Sequence, residues 1–543
     1  MNKYFLPLLI LLFLGTTNVS AKEMFRIYLK DKNGTRYNID APSDFLSERA
    51  LERRTNQHIK INESDLPLSD KYINQIKEFD FEIIAKSKWL NTISIATKDS
   101  IDIEKLKNKP FVENIFWVGR SADTLKVKNK KSLFKAKYPS TKNTGFYGYA
   151  SDQIYTVNGH KLHEKGYWGQ GKEIAIIDAG FTKLNENLNL GNISVKGIKD
   201  FVNDGVDILN GSDHGISVLS AMATNQPNTF VGTAPKANYW LLRSESSQYE
   251  YPIEEDFWVT AIEYADSVGV DIVNTSLGYY RFDSPAISYT KEDINGNVSF
   301  MTKAAEIAAN KGILVVTSAG NEGNSSWKTL TVPADAQNVL TVGSMSKDST
   351  ISSFSSVGPT FDGRIKPDVV ALGEKINLLD SRGEFIVTNG TSFSTPVMAG
   401  LAACLWEAFP DLTNKQVINI ICSSSNQYNK PGATYGYGAP NMQLAMMLAE
   451  DITTGIEEVI TEETKSLFSF RSDSIGQIKI KKTNPTNDDQ LYYIQIYNMS
   501  GRIVISEKLD GYEKTFNISN QSKQPYIIRI TSKDFNESRK LIF

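Results

Sequence analysis

The sequence predicts an α/β protein: a parallel sheet sandwiched by helices, preceded by a small α+β unit and followed by a small β-sandwich. Three observations predict it. Between residues 151 and 450, short apolar runs without polar alternation recur between longer helical patterns, the mark of strands covered on both faces. Upstream, residues 22–120 mix alternating strand-like runs with amphipathic helical ones. Downstream, residues 466–543 are alternating runs broken by turns, with no helical pattern. A chain of 543 residues has room for three or four such units.

The first stretch is MNKYFLPLLILLFLGTTNVSAKE. Lys3 precedes a mostly apolar run over 4–14, and Val19-Ser20-Ala21 offers small residues for cleavage. This is the pattern of a secretory signal peptide over 1–21, too short for a good spanning helix; an uncleaved anchor is the competing reading. In 22–120, FRIYLK, DFEIIAKS, TISIATK and FVENIFWVG read as strands. SDFLSERALERR, SDKYINQIKEF and IDIEKLKNK read as helices, the first with Ser43 and Asp44 as candidate caps. The arrangement approximates a split β-α-β unit. Residues 121–150 are rich in Lys, Ser, Thr and Gly and suit an exposed linker or a cut site.

In the central region EIAIIDAG, ANYWLLRS, DIVNTSLG, ILVVTSAGN and VLTVGS read as strands. HGISVLSAMA, IEEDFWVTAIEYADSVG and MTKAAEIAANKG read as helices. An acidic, Thr-rich linker over 451–465 then leads to strand-like QIKIKK, LYYIQIYNMSGRIVISEKL and PYIIRITSK, with a turn at Asn498-Met499-Ser500-Gly501. Lys and Arg number 59 against 62 Asp and Glu, for a net charge of -3, so no nucleic-acid partner is expected. The only cysteines, Cys404 and Cys422, lie in apolar helical contexts. They read as buried thiols or as one disulfide, not as a disulfide framework.

Four positions can carry chemistry. Asp178 ends the apolar run IAII, at the carboxyl edge of the sheet where open α/β folds place ligands. His214, one of four histidines, opens a small-residue helix. Asn321 follows the run ILVV, and its amide can donate to an oxyanion. Ser392 opens a helix after Gly390-Thr391, with Pro396 in its first turn, where its own N–H and the helix dipole favour negative charge. Each has a plainer role: strand end, capping or core histidine, Asn-Gly turn, helix cap. Their joint occurrence on one sheet edge favours chemistry, and their order is Asp…His…Ser.

These motifs resemble those of the subtilisin-like serine proteases, the subtilases, over about 151–450. IAIIDAGF resembles the family's aspartate motif, DHGISVLSAMA its histidine motif, SAGNEG its oxyanion-asparagine motif and GTSFSTPVMAGLAA its serine motif. Ala179 stands where the family has Thr or Ser, Ile216 where it has Thr, and Phe393-Ser394 where it has Met-Ala. None of these removes a reacting group. The resemblance implies a secreted endopeptidase with Asp178, His214 and Ser392 as triad and Asn321 as oxyanion donor. It implies that Ser276, Leu277 and Gly278 pair with an extended peptide, and that Ala319 and Gly320 border the specificity pocket.

No cofactor is expected to be required. The family often binds calcium, but Asp293-Ile-Asn-Gly-Asn297 reads as an Asn-Gly turn, its glycine too early for an EF-hand. His160 and His163 share a helix face and read as solvated, with metal chelation the alternative. The N-terminal unit resembles the family's inhibitory propeptides and is expected to act as an intramolecular inhibitor. The C-terminal unit resembles the sorting domains of type IX secretion, which implies the bacterial secretion machinery as partner, although Gln524-Pro525 replaces a usual glycine. Rival readings are a catalytically silent subtilisin-like binding protein, an esterase or amidase, and a carbohydrate- or protein-binding β-sandwich at the C-terminus.

Overall fold

Ile174, Ala175, Ile176 and Ile177 are all fully buried, although neighbouring side chains on a strand point to opposite faces. Both faces of their sheet are therefore covered. The structure is a computed structural model that describes residues 21–98, 101–121, 145–454, 468–472, 477–483, 491–498, 503–509, 511–518, 526–532 and 536–541. Of the expected leader over 1–21, linker over 121–150, acidic linker over 451–465 and turn at 498–501, residues 1–20, 122–144, 455–465 and 499–501 lie outside them, while Tyr147 and Ala150 of the expected exposed linker are buried.

Strand Glu173–Asp178 sits in a seven-stranded, wholly parallel sheet. The order is Val369–Leu372, Leu340–Met345, Leu314–Ser318, Ile272–Thr275, Glu173–Asp178, Asn238–Arg243, Ser194–Asp200. Ile174 and Ile176 join the core under helices His214–Ala223 and Thr391–Ala408. Ala175 and Ile177 join the opposite core, under helices Ile253–Val268 and Phe300–Asn310. The edge strand Ser194–Asp200 has no apolar run to announce it, because it pairs on one side only and alternates partly buried with exposed residues. Helix Thr391–Ala408 is buried from Thr391 through Trp406. Small residues allow that: a Cβ at Gly400 would lie 2.0 Å from the Thr233 hydroxyl. Cys404 and Cys422 are both buried and free.

The N-terminal unit is an antiparallel sheet ordered Glu82–Ser87, Thr92–Thr97, Glu23–Leu29, Val112–Arg120, the split β-α-β order. One expectation is corrected. Ser43 and Asp44 belong to a separate 3-10 turn, Pro42–Asp44, started by its proline. The cap of helix Glu48–Asn56 is Ser47, whose hydroxyl accepts from the Ala50 N–H at 3.2 Å.

Buried charge holds this unit against helix Ile253–Val268. Arg26 pairs with Asp256 and lies 3.6 Å over the Phe300 ring. Ser94 donates to Asp256 at 2.6 Å. Arg53 and Arg54 reach Asp266 at 2.5 and 3.0 Å. Arg54 and Lys311 converge on Asp65 at 2.8 and 2.7 Å. Glu263 accepts the N–H groups of Lys88 and Trp89 at 2.8 and 3.0 Å. Asp256, Glu263 and Asp266 recur at helical spacing, so one face of the helix meets the N-terminal unit.

The C-terminal unit packs a three-stranded antiparallel sheet on a four-stranded one around Phe468, Ile480, Ile494, Ile496, Phe516 and Ile528. It is seated on helix Met442–Thr454 by an ion pair between Arg529 and Asp451 at 2.7 Å. Tyr497, Ile503 and Ile527 join the central core there. Among the described residues, no helix is long and apolar enough to cross a membrane.

Burial alone would raise the Asp266 carboxyl, but Arg54 and Arg53 hold it down to about 2. The stabilisation is present above the ordinary value of 3.8 and is lost as pH falls toward about 2. Asp266→Ala leaves two buried guanidinium groups without their shared counter-charge. The expected cost is about 3–5 kcal/mol, read as a lower urea midpoint at neutral pH; an unchanged midpoint would contradict it.

Candidate active site

Asp178 is the last residue of its strand and is fully buried. Its Oδ1 accepts the Ala179 N–H at 2.8 Å. His214, the first residue of its helix, brings Nδ1 to 2.8 and 2.9 Å from the two carboxylate oxygens. A carboxylate can only accept, so Nδ1 carries the proton and Nε2 is left with a lone pair. The approach is tight: the Gly215 N–H donates to the Gly180 carbonyl at 3.2 Å, and a Cβ at Gly215 would lie 2.4 Å from that oxygen. Burial pushes the imidazole down, but the Asp178 charge and hydrogen bond outweigh it and raise His214 above its ordinary 6.5.

Ser392 is the second residue of helix Thr391–Ala408 and is 7% exposed. Its hydroxyl donates to the Ser276 carbonyl at 2.9 Å, and the Ser276 hydroxyl donates back to the Ser392 carbonyl at 2.8 Å. Pro396 explains the second bond. It lies in the helix's second turn, not the first as expected, and has no N–H to give the carbonyl four residues earlier. That carbonyl belongs to Ser392, and Ser276 supplies the missing donor. Among the described residues no hydrogen bond joins Ser392 to His214. The residue next to Ser392, Phe393, brings its ring centroid to 5.5 Å from that of His214.

Asn321 is exposed just beyond strand Leu314–Ser318. Its Oδ1 accepts from the Thr391 N–H at 2.9 Å and from the Thr391 hydroxyl at 3.0 Å. A backbone N–H must face an acceptor, so the oxygen is fixed and the amide NH₂ is turned away from Thr391. That NH₂ has no partner among the described residues. The Ser392 N–H is one of the early helix donors that lack an intrahelical acceptor. Thr391 thus ties together the residues that bear the two free donors. Its own bonds depend on the tertiary fold, and sequence reasoning does not single it out.

Ser276 and Leu277 are buried and Gly278 is half-buried, directly after strand Ile272–Thr275. A Cβ at Gly278 would lie 2.4 Å from Thr331 Oγ1, and one at Gly320 3.0 Å from the same atom. The segments 276–278 and 319–320 therefore converge on Thr331. Ala319 is fully buried there. Tyr279 exchanges backbone hydrogen bonds with Val332, each 3.0 Å. The Leu277 and Gly278 backbone makes no hydrogen bond among the described residues. Beside it, Glu250 and residues 278–284 line a surface recess of about 380 Å³.

One side reading changes. His163 is buried, not solvated: Nε2 donates to the Thr233 carbonyl at 3.0 Å, Nδ1 accepts from the Tyr147 hydroxyl at 2.9 Å, and Trp168 stacks on the ring at 4.1 Å. With both nitrogens engaged it is a core residue, and burial lowers it to about 4. The Asp293 carboxylate caps its own turn, accepting the Thr290 N–H and hydroxyl at 2.8 Å each. Among the described residues, no group of three or more His, Cys, Asp or Glu side chains is arranged to hold a metal ion.

Three family models match the chain: the Subtilase family over residues 169–438, the Peptidase S8 propeptide domain of Bacteroidota over 24–135, and a secretion system C-terminal sorting domain over 474–543. Among curated proteins, the chain is 30% identical over 376 residues to Subtilisin NAT of Bacillus subtilis subsp. natto, spanning 67% of this chain and 89% of that protein. It is 31% identical over 299 residues to a subtilisin of Bacillus pumilus, spanning 54% of this chain and 97% of that one. A solved structure, MycP1 from the ESX-1 type VII secretion system, is similar with a TM-score of 0.46 and 21% identity, over 62% of this chain and 92% of that one.

The His214 imidazole is expected to titrate above 6.5, and Asp178→Asn to lower it, since only the weaker pull of Glu245 and Asp213 then opposes burial. Histidine NMR on the four-histidine chain reads both values. A His214 value unaffected by Asp178→Asn would contradict the pairing.

Proposed function

This chain belongs to the subtilase family of serine peptidases, and on that premise we propose that it is a secreted endopeptidase working through an acyl-enzyme. The observation that carries the chemistry is His214 oriented by Asp178 beside the start of the Ser392 helix. In the proposed reaction Ser392 Oγ turns from the Ser276 carbonyl toward His214 Nε2 and attacks the substrate's peptide carbonyl carbon. His214 takes the hydroxyl proton, and Asp178 stabilises the imidazolium that results. The Asn321 NH₂ and the Ser392 N–H hold the oxyanion. His214 then protonates the leaving amine. Water, activated by the same imidazole, hydrolyses the ester and restores Ser392. These steps call for no cofactor.

The proposed substrate is an extended polypeptide paired along Leu277 and Gly278, whose free backbone favours peptides over simple esters or amides. Ala319 and Gly320 are its proposed side-chain wall. The proposed mature enzyme contains the 151–450 region and gains activity by cleavage within 121–150. The propeptide domain is the proposed intramolecular inhibitor. In support, Trp117, near the end of strand Val112–Arg120, packs edge-on against Tyr251 at 5.7 Å. The chain is thereby delivered beside Glu250 and the recess that borders Gly278. The sorting domain supports export by type IX secretion, after a leader over 1–21.

A fluorophosphonate probe should label Ser392, and Ser392→Ala and His214→Ala should each abolish peptide cleavage. An unlabelled, inactive wild-type protein would instead support a silent binding protein. Deleting 466–543 should trap the protein in the periplasm of a host with type IX secretion; unimpaired release would overturn the export assignment.

A further inference from the structure

Arg243 is fully buried at the end of its strand, between the strands that end in Asp178 and Asp200. All five of its N–H donors are used. Nη1 donates to Asp200 Oδ2 and to the Val206 carbonyl at 2.9 Å each. Nη2 donates to both oxygens of Asp204, also at 2.9 Å. Nε donates to the Glu245 carbonyl at 3.2 Å. Ser246 adds a hydroxyl bond to Asp204 at 2.8 Å. The guanidinium thus sits in a cage of oxygens as an internal cation.

The segment it grips, 201–213, is the one that delivers His214. After Phe201 and Val202 no residue of that segment is buried, and Ile208 and Leu209 are its partly buried apolar contacts with the core, so apolar packing alone fixes little of its path. Polar bonds do so instead. Arg243 holds its first half. Its second half is zipped to the chain just after Asp178, with Phe181 N–H to Ile208 O at 2.8 Å, Lys183 N–H to Leu209 O at 2.8 Å, and Thr182 N–H to Ser212 O at 2.9 Å. The Arg243 backbone bridges the same two regions: its carbonyl accepts the Phe201 N–H, and the next N–H, of Ser244, donates to the Asp178 carbonyl, both at 3.0 Å.

We propose that Arg243 is a positioning residue for the proposed reaction, an internal cation that fixes the His214-bearing segment relative to Asp178. The inference rests on the assignment of Asp178, His214 and Ser392. It touches no substrate; it acts by holding the base within the small tolerance that proton transfer allows.

The test uses the purified protein with Arg243→Met, Arg243→Lys and the milder Asp204→Asn. Fluorophosphonate titration counts competent sites, and kcat and KM are then measured on a peptide substrate. In Arg243→Met, kcat per titrated site should fall about tenfold or more while KM stays within about twofold. Arg243→Lys should recover part of the loss, because it restores the charge but not the five contacts. Asp204→Asn should lose less than Arg243→Met. A residue that only stabilises the fold would lower the thermal midpoint and the titratable fraction and leave kcat per site unchanged; that result overturns the proposal. If Arg243→Met does not fold, Arg243→Lys and Asp204→Asn decide by the same reading. A wild-type protein that neither labels nor turns over would sink the assignment of the triad, not this inference alone.

Discussion

The hydrogen bond between the buried Asp178 carboxylate and His214 Nδ1 sets the proton inventory of the whole site. It fixes the tautomer, leaves Nε2 as the basic nitrogen, and raises the imidazole's affinity for the proton that the reaction would hand it. The bond is also a packing constraint. A fully buried carboxylate needs partners, and Asp178 has a backbone N–H from Ala179 and the imidazole. The strand end and the helix start approach so closely that a side chain at 215 has no room. The hydroxyl that the family usually places after the aspartate is absent at Ala179, and the backbone N–H there serves as the carboxylate's second donor.

The surroundings of Ser392 follow from a second constraint. A proline in the helix interior strands the Ser392 carbonyl, and Ser276 satisfies it. The same pair of residues holds the Ser392 hydroxyl on the Ser276 carbonyl. The proposed pairing segment and Ser392 are therefore joined directly, and Thr391 joins the Ser392 helix to Asn321. Serine, asparagine and pairing segment thus form one hydrogen-bonded unit, with the His214–Asp178 pair set against its face. On the other side of the sheet, helix Ile253–Val268 meets the N-terminal unit through charge, so separation would leave Asp256 and Asp266 without their arginine partners.

Much of this was legible in the residues because it follows from burial. Unbroken apolar runs announce strands covered on both faces, and the polar residue that ends each run must lie at the sheet's edge, which located Asp178 and Asn321. His214 stood out for rarity, Ser392 for the small-residue helix behind it. What was not legible depends on partners distant in the chain. The anchoring of Asn321 by Thr391, the exchange between Ser276 and Ser392, and the cage around Arg243 are tertiary hydrogen bonds with no local pattern. Strand Ser194–Asp200 escaped notice because an exposed edge needs no apolar run. The burial of His163 has no sequence signal, because a helix of five residues is too short for periodicity to show which face is buried. The cap of the first helix lies later than Ser43 and Asp44 because Pro42 starts a separate turn just before it.

In the proposed reaction the hydroxyl of residue 392 becomes covalently bonded to substrate with Asn321 facing the oxygen that gains charge. A crystal structure of the protein reacted with a peptidyl boronate tests it most directly. The account predicts a bond from Ser392 Oγ to boron, and a boronate oxygen about 2.7–3.1 Å from both Asn321 Nδ2 and the Ser392 nitrogen. It also predicts that the peptide runs alongside Leu277 and Gly278. An adduct on any other residue, or one whose oxygen points away from Asn321, would contradict it.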